Sequence, residues 1–172
     1  DWIGEHPEWF YWIREDVPDR PVGSLDPHAY GSPLFDPDTL ALIKSKVGAG
    51  DFRRLPPPPK VYRDMFTPPP RREQVRQVEG RWVGTLDDGT RVRIPGAFTD
   101  WPPDDGQPPW TDVTYLRLYD HPNFNYIAYN TLRMYDERLA RPEHANMPLW
   151  DAIAGVIPYY QGQFGIDGVM LD

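Results

Sequence analysis

The chain closes on Gly165-Ile166-Asp167-Gly168-Val169-Met170-Leu171-Asp172. The apolar run predicts a strand buried on both faces, as in a parallel sheet. Side chains alternate along a strand, so Gly168, Met170 and Asp172 share one face while Val169 and Leu171 share the other. With Val169 and Leu171 against covering helices, the carboxylate of Asp172 projects from the strand's C-terminal end. A carboxylate placed there can attack an electrophilic carbon or exchange a proton. The plainer role is a cap on a following helix, and the segment taken alone favours it.

Other residue types could support such chemistry. Seven tryptophans offer flat apolar rings with a polar edge, a surface that suits the face of a pyranose. Trp150 falls on a helical apolar stripe and is expected in the core, whereas Trp101 and Trp110 fall in irregular segments. His121 follows Asp120 just before a helix and could contact a substrate or simply pair with a carboxylate. His6, His28 and His144 are scattered without the spacing of a zinc site. Asp87-Asp88-Gly89 lacks the further ligands of a calcium loop and reads as a turn. No metal and no cofactor are expected.

The elements that must position these residues follow from pattern. Pro7 ahead of Glu8–Ile13 suits a first helical turn. Residues 36–50 predict a helix capped by Asp36 or Asp38, with Leu40, Ile43 and Val47 at helical spacing and a stop at Gly48. Two proline runs, Pro56–Pro59 and Pro68–Pro70, favour stiff extended chain and flank a short strand candidate, Lys60–Phe66. Exposed, such runs would suit an SH3-type module. Segments 81–86 and 90–94 predict a hairpin turned at Asp88-Gly89. Phe124, Ile127, Ala128, Leu132, Tyr135 and Leu139 form an amphipathic helical stripe. A second helix is expected from about Pro148, kinked or ended at Pro158 and stopped by Gly165. A helix feeding an apolar strand that ends in a polar residue is half of a β/α unit, and in β/α barrels that strand end carries the chemistry.

Composition narrows the partners. A net charge of −8 disfavours a nucleic-acid backbone or an anionic membrane surface. No apolar run approaches the roughly 18 residues of a membrane span. Twenty-two prolines in 172 residues is more than double the usual share of about 5%. The absence of cysteine excludes disulfides and thiolate chemistry, and fits a reducing, cytoplasmic setting. The opening Asp1-Trp2-Ile3-Gly4 starts in mid-pattern, so the chain is expected to be an internal piece of a longer protein.

The order of motifs from Trp110 onward resembles the α-amylase superfamily, the family-13 glycoside hydrolases. Trp110-Thr111-Asp112-Val113 is similar to the segment that closes the family's inserted domain. Asp120-His121-Pro122 is similar to the Asp-x-Pro that opens its third helix. Gly165, Ile166, Asp167, Gly168 and Asp172 match the strand that ends in the nucleophilic aspartate. Glu5–Phe10 looks like the segment after the third barrel strand. Pro58–Phe66, with Lys60, Tyr62 and Asp64, resembles the inserted domain of maltosyltransferases that use maltose 1-phosphate.

This resemblance implies an α/β fold, a fragment of a (β/α)8 TIM barrel with an irregular, hairpin-containing inserted domain after strand three. Residues 1–16 would end the barrel loop, 17–112 would form the inserted subdomain, and 113–172 would supply barrel helices and strand four. It implies retaining hydrolysis or transglycosylation at α-glucosidic bonds, with Asp172 as nucleophile and Tyr62, Trp110 and His121 contacting an oligosaccharide or α-glucan. The family's general acid would lie beyond residue 172, so this chain alone would be inactive. One position departs from the pattern: Met170 stands where the family has an Arg, and Met cannot hold the neighbouring carboxyl ionised as a cation does. That departure leaves open a second reading, a barrel relative that binds or scaffolds without catalysis.

Overall fold

Strand β1 is only Trp12–Arg14, yet it occupies the interior of the sheet, because both its edges find partners far along the chain. The computed structural model describes residues 2–21, 23–31, 33–51, 56–95, 116–117 and 142–169, the side chains of Val47 and His144 excepted. Within these, β2 (Phe66–Thr67), β3 (Val75–Val78), β4 (Arg81–Thr85) and β5 (Arg91–Arg93) join β1 in the order β2-β1-β5-β4-β3. Every neighbouring pair is antiparallel.

This arrangement overturns the expected fragment of a (β/α)8 barrel. Barrel strands are parallel and need helical crossovers of a dozen residues or more. Here β3, β4 and β5 are joined by tight turns that admit only antiparallel pairing. The Glu79–Gly80 turn has positive φ at both residues, 50° and 80°, the backbone of a two-residue type I′ hairpin. The β4–β5 turn is the one expected at Asp88-Gly89. Gly89 sits at φ 87°, and Asp88 Oδ1 accepts from the Thr90 amide at 2.9 Å. The strand expected at the chain's end is also missing among the described residues: Gly165–Val169 carry no sheet pairing, and Val169 is 49% exposed.

The two faces of the sheet are covered differently. Ile13 pairs with Phe66 and with Arg93, which puts all three on one face. There Ile13 packs with Val17, Tyr30, Ile43, Tyr62 and Met65. Ile43 comes from α2 (Pro37–Gly48) and Tyr62 from the single turn α3 (Lys60–Arg63). Asp36 caps α2 as expected, its carboxylate accepting from the Thr39 amide at 2.9 Å and the Thr39 hydroxyl at 2.6 Å. The strand expected over Lys60–Phe66 is instead α3 followed by β2. The carbonyl of Pro59 accepts from Tyr62 and Arg63, which closes a helical turn before the chain extends.

On the other face Trp12 is 1% exposed, and its indole donates to the Pro7 carbonyl at 2.8 Å. The helix expected from Pro7 stops after the 3₁₀ turn Pro7–Trp9, because Phe10 is already extended at φ −121°, ψ 153°. Gly84 lies on this face under the Pro70 ring. A Cβ there would sit 2.7 Å from Pro70 Cγ, so only glycine fits without movement. Pro58 and Pro70 are both buried. One proline of each run is thus packed inward, while Pro57 and Pro68 stay exposed.

Helix α4 (Met147–Phe164) meets the sheet unit through its first turns. Leu149, fully buried, packs on Trp9 and Phe10, with Ala152 and Ile153 alongside. Trp150, expected in the core, is half-buried. Pro158 lies inside the helix without ending it. The carbonyl deprived of its bond belongs to Ala154, which faces water and can be hydrated. Gly165 does end the helix, in the left-handed conformation at φ 63°.

Candidate functional site

A cluster of aromatic rings bordered by a carboxylate gathers around the chain's first helix and the turn after it. Helix α1 (Trp2–Glu5) and the Pro7–Trp9 turn fold back on each other, with the His6 amide donating to the Trp2 carbonyl at 2.7 Å. This places the His6 ring flat on Trp9, centroids 3.8 Å apart and planes 6° from parallel. Trp2 meets the same indole edge-on at 5.7 Å. Trp82 of β4 lies across α1, close enough that a Cβ on Gly4 would touch it at 3.5 Å. Trp9 is 7% exposed, so it serves as the floor, while the His6 side chain is 40% exposed and Trp2 and Trp82 are partly open.

Glu8 borders this aromatic wall. Its carboxylate lies 3.1 Å from His6 Nδ1 and is 55% exposed. Ring faces beside a carboxylate are the parts a sugar ring uses, apolar C–H surface on one side and hydroxyl donors at the rim. The wall is held from behind. Phe10 bridges to Leu116, the Arg117 amide donates to the Trp9 carbonyl at 2.8 Å, and the Arg117 guanidinium sits 5.8 Å over the Tyr11 ring.

The residues that the sequence singled out are placed unevenly. Asp172, Trp110 and His121 lie outside the described residues, as do Met170 and Trp101. Tyr62 is described and is 1% exposed, stacked on Tyr30 at 6.3 Å and tilted against Phe66 at 5.4 Å. The nearby Arg20 guanidinium donates to the carbonyls of Asp26 and Ala29. Burial lowers its pKa from the ordinary value, against the opposing pull of Tyr62 and Asp26. The acidic Asp87 lies 2.7 Å from Arg71, a surface pair. His28 donates its amide to Asp26 Oδ1 in a local turn.

Sequence reasoning passed over the His6–Trp9 stack. Its signal was the i, i+3 spacing across Pro7, which a 3₁₀ turn eclipses onto one side. Among the described residues no group of three or more His, Cys, Asp and Glu could hold a metal ion. Nor is any described helix long and apolar enough to cross a membrane. No family model matches the chain, and no curated protein matches it either.

Proposed function

We propose that the chain belongs to a carbohydrate-active protein that turns over α-glucosidic bonds with retention, Asp172 supplying the nucleophilic carboxylate. The observation that carries this reading is the ordered run of residues Trp110–Val113, Asp120–Pro122 and Gly165–Gly168 before Asp172. The wall of Trp2, His6, Trp9 and Trp82 beside Glu8 is chemically suited to the glucan itself.

In such a reaction the carboxylate attacks the anomeric carbon and forms a glycosyl ester. A second carboxyl about 5–5.5 Å away protonates the leaving oxygen. A fluoride leaving group needs little of that protonation. A 5-fluoro-α-glucosyl fluoride therefore tests the nucleophile separately from the acid. Intact mass of the chain rises by one fluoroglucosyl unit, peptide mapping places it on Asp172, and the Asp172→Asn variant takes up none. An unmodified chain refutes the nucleophile.

Met170 favours a second reading, a glucan-binding chain without catalysis. That reading is the outcome if maltoheptaose changes tryptophan fluorescence while the fluoride leaves the mass unchanged.

A further inference from the structure

Strand β3 is an edge of the sheet, and no described strand pairs with its outer side. The Trp82 carbonyl of β4 accepts from the Ile94 amide at 3.2 Å, so the main chain at Trp82 faces β5. Across the β3–β4 ladder Gln77 stands opposite Trp82, and Val75 opposite Gly84. Antiparallel pairs alternate, so the amide and carbonyl of Gln77 and the carbonyl of Val75 point to the open side. The Val75 amide is already taken by the Arg72 carbonyl, which ends the edge at the Arg72–Gln74 turn. Val78, at the other end, is 42% exposed.

This edge is basic in an acidic chain. Residues 71–93 hold six arginines and four acidic residues, whereas the whole chain carries −8. Arg76 pairs with Val83, Val78 with Arg81, Val83 with Arg93 and Thr85 with Arg91. That register puts all four of these arginines on one face of the sheet. Arg91 is matched by Glu15 and Arg93 by Asp19. Arg76 and Arg81, the two toward the open edge, are exposed and have no carboxylate in ion-pair reach among the described residues.

We infer that the outer side of β3 takes an extended peptide whose carboxylates recur at every second residue. Its main chain pairs with Gln77 and Val75 as a sixth strand, and its alternate side chains fall beside Arg76 and Arg81. Charge decides between occupants. A second copy of β3 would bring Arg76 opposite or diagonal to its own counterpart, a like-charge approach that weakens a sheet. Charges on an edge guard it against such self-pairing, and the same charges favour a strand of opposite sign. A nucleic-acid backbone would engage the arginines but leave the outward main-chain groups of Gln77 without the ladder that a strand supplies. The arginine face is the one opposite Trp82, so this inference does not rest on the glucan reading.

The probe is a fluorescein-labelled peptide, Thr-Glu-Val-Glu-Val-Glu-Thr, with lysine in place of glutamate as the control. Anisotropy at low ionic strength shows the full chain binding the acidic peptide at least about tenfold more tightly than the basic one. Arg76→Glu combined with Arg81→Glu reverses that order. Gln77→Pro removes the outward N–H without touching a β3–β4 bond, and it abolishes binding. Unchanged amide protection over Arg91–Arg93 shows that the sheet is still folded in both variants. In the native chain the Gln77 amide exchanges freely and becomes protected when the acidic peptide binds. Equal binding of the two peptides, binding that survives Gln77→Pro, or no binding of the acidic peptide each overturns the inference. So does tighter binding of a single-stranded oligonucleotide, or a dimer in sedimentation equilibrium that Gln77→Pro dissolves.

Discussion

Arg93 Nη2 lies 2.6 Å from Asp19 Oδ1 on the covered face of the sheet, and the same nitrogen donates to the Val17 carbonyl at 2.9 Å. Arg93 points inward because β5 alternates and Ile13 is its cross-strand neighbour. Its side chain is only 10% exposed, so the charge depends on these two acceptors for what water would otherwise provide. The pair ties the loop after β1 to β5, the central strand of the sheet.

Removing Asp19 leaves that guanidinium short of its charged partner. Asp19→Ala lowers stability by about 1–3 kcal/mol, read as a lower urea midpoint at unchanged m. The double variant Asp19→Ala with Arg93→Met recovers much of the loss, since an apolar side chain there has no charge to satisfy. Equal losses in single and double variants contradict this account.

Gly84 faces a tighter constraint. Its missing side chain makes room for Pro70, and Val92 Cγ2 stands 3.4 Å from the same spot. Gly84→Ala costs about 1–3 kcal/mol through overpacking. Pairing it with Pro70→Ala relieves part of that cost, a coupling that a double-mutant cycle in urea measures.

The β3–β4 turn carries avoidable strain. Glu79 holds φ 50°, a region that asparagine and glycine occupy far more readily. Glu79→Asn raises stability by about 0.5–1 kcal/mol, seen as a higher melting temperature with the sheet's amide protection unchanged.

Two exposed aspartates report on acid. The Thr39 hydroxyl and then the Thr39 amide hold the Asp36 carboxyl below the usual 3.8. The Thr90 amide and then the Thr90 hydroxyl do the same for Asp88. A depressed folded-state pKa means that the contribution to stability is complete above 3.8. It is lost as pH falls through the lower folded value. Carboxyl carbon NMR titration shows both groups ionising below 3.8, and Thr39→Val moves Asp36 up while leaving Asp88 in place.

The sequence was most readable where local rules act alone. Asp36 before Pro37, Asp88-Gly89 between β-rich runs and Gly165 after an apolar stripe each satisfy a backbone demand within a few residues. The Glu79–Gly80 hairpin escaped notice because glutamate rarely takes that conformation and Val75–Val78 alternates poorly. The sheet's order escaped for a different reason. β1 and β2 are three and two residues long, too short to show a period, and their pairing is set by contacts far apart in sequence. The aromatic run at residues 9–12 read as a helix because nothing local reveals that the Trp12 indole will bind the Pro7 carbonyl.

The placement of β1 between β2 and β5 governs how the protein is born. As the chain leaves the ribosome, Trp12–Arg14 emerges with no strand to pair with, and the residue that will anchor Val17 is 76 positions behind it. The β3–β4–β5 meander can close within its own short loops as soon as it is made. Strand β1 thus waits for strands made later on both of its sides, β2 on one edge and β5 on the other. Until both have formed, the Trp12 and Ile13 side chains have no sheet face to be buried against.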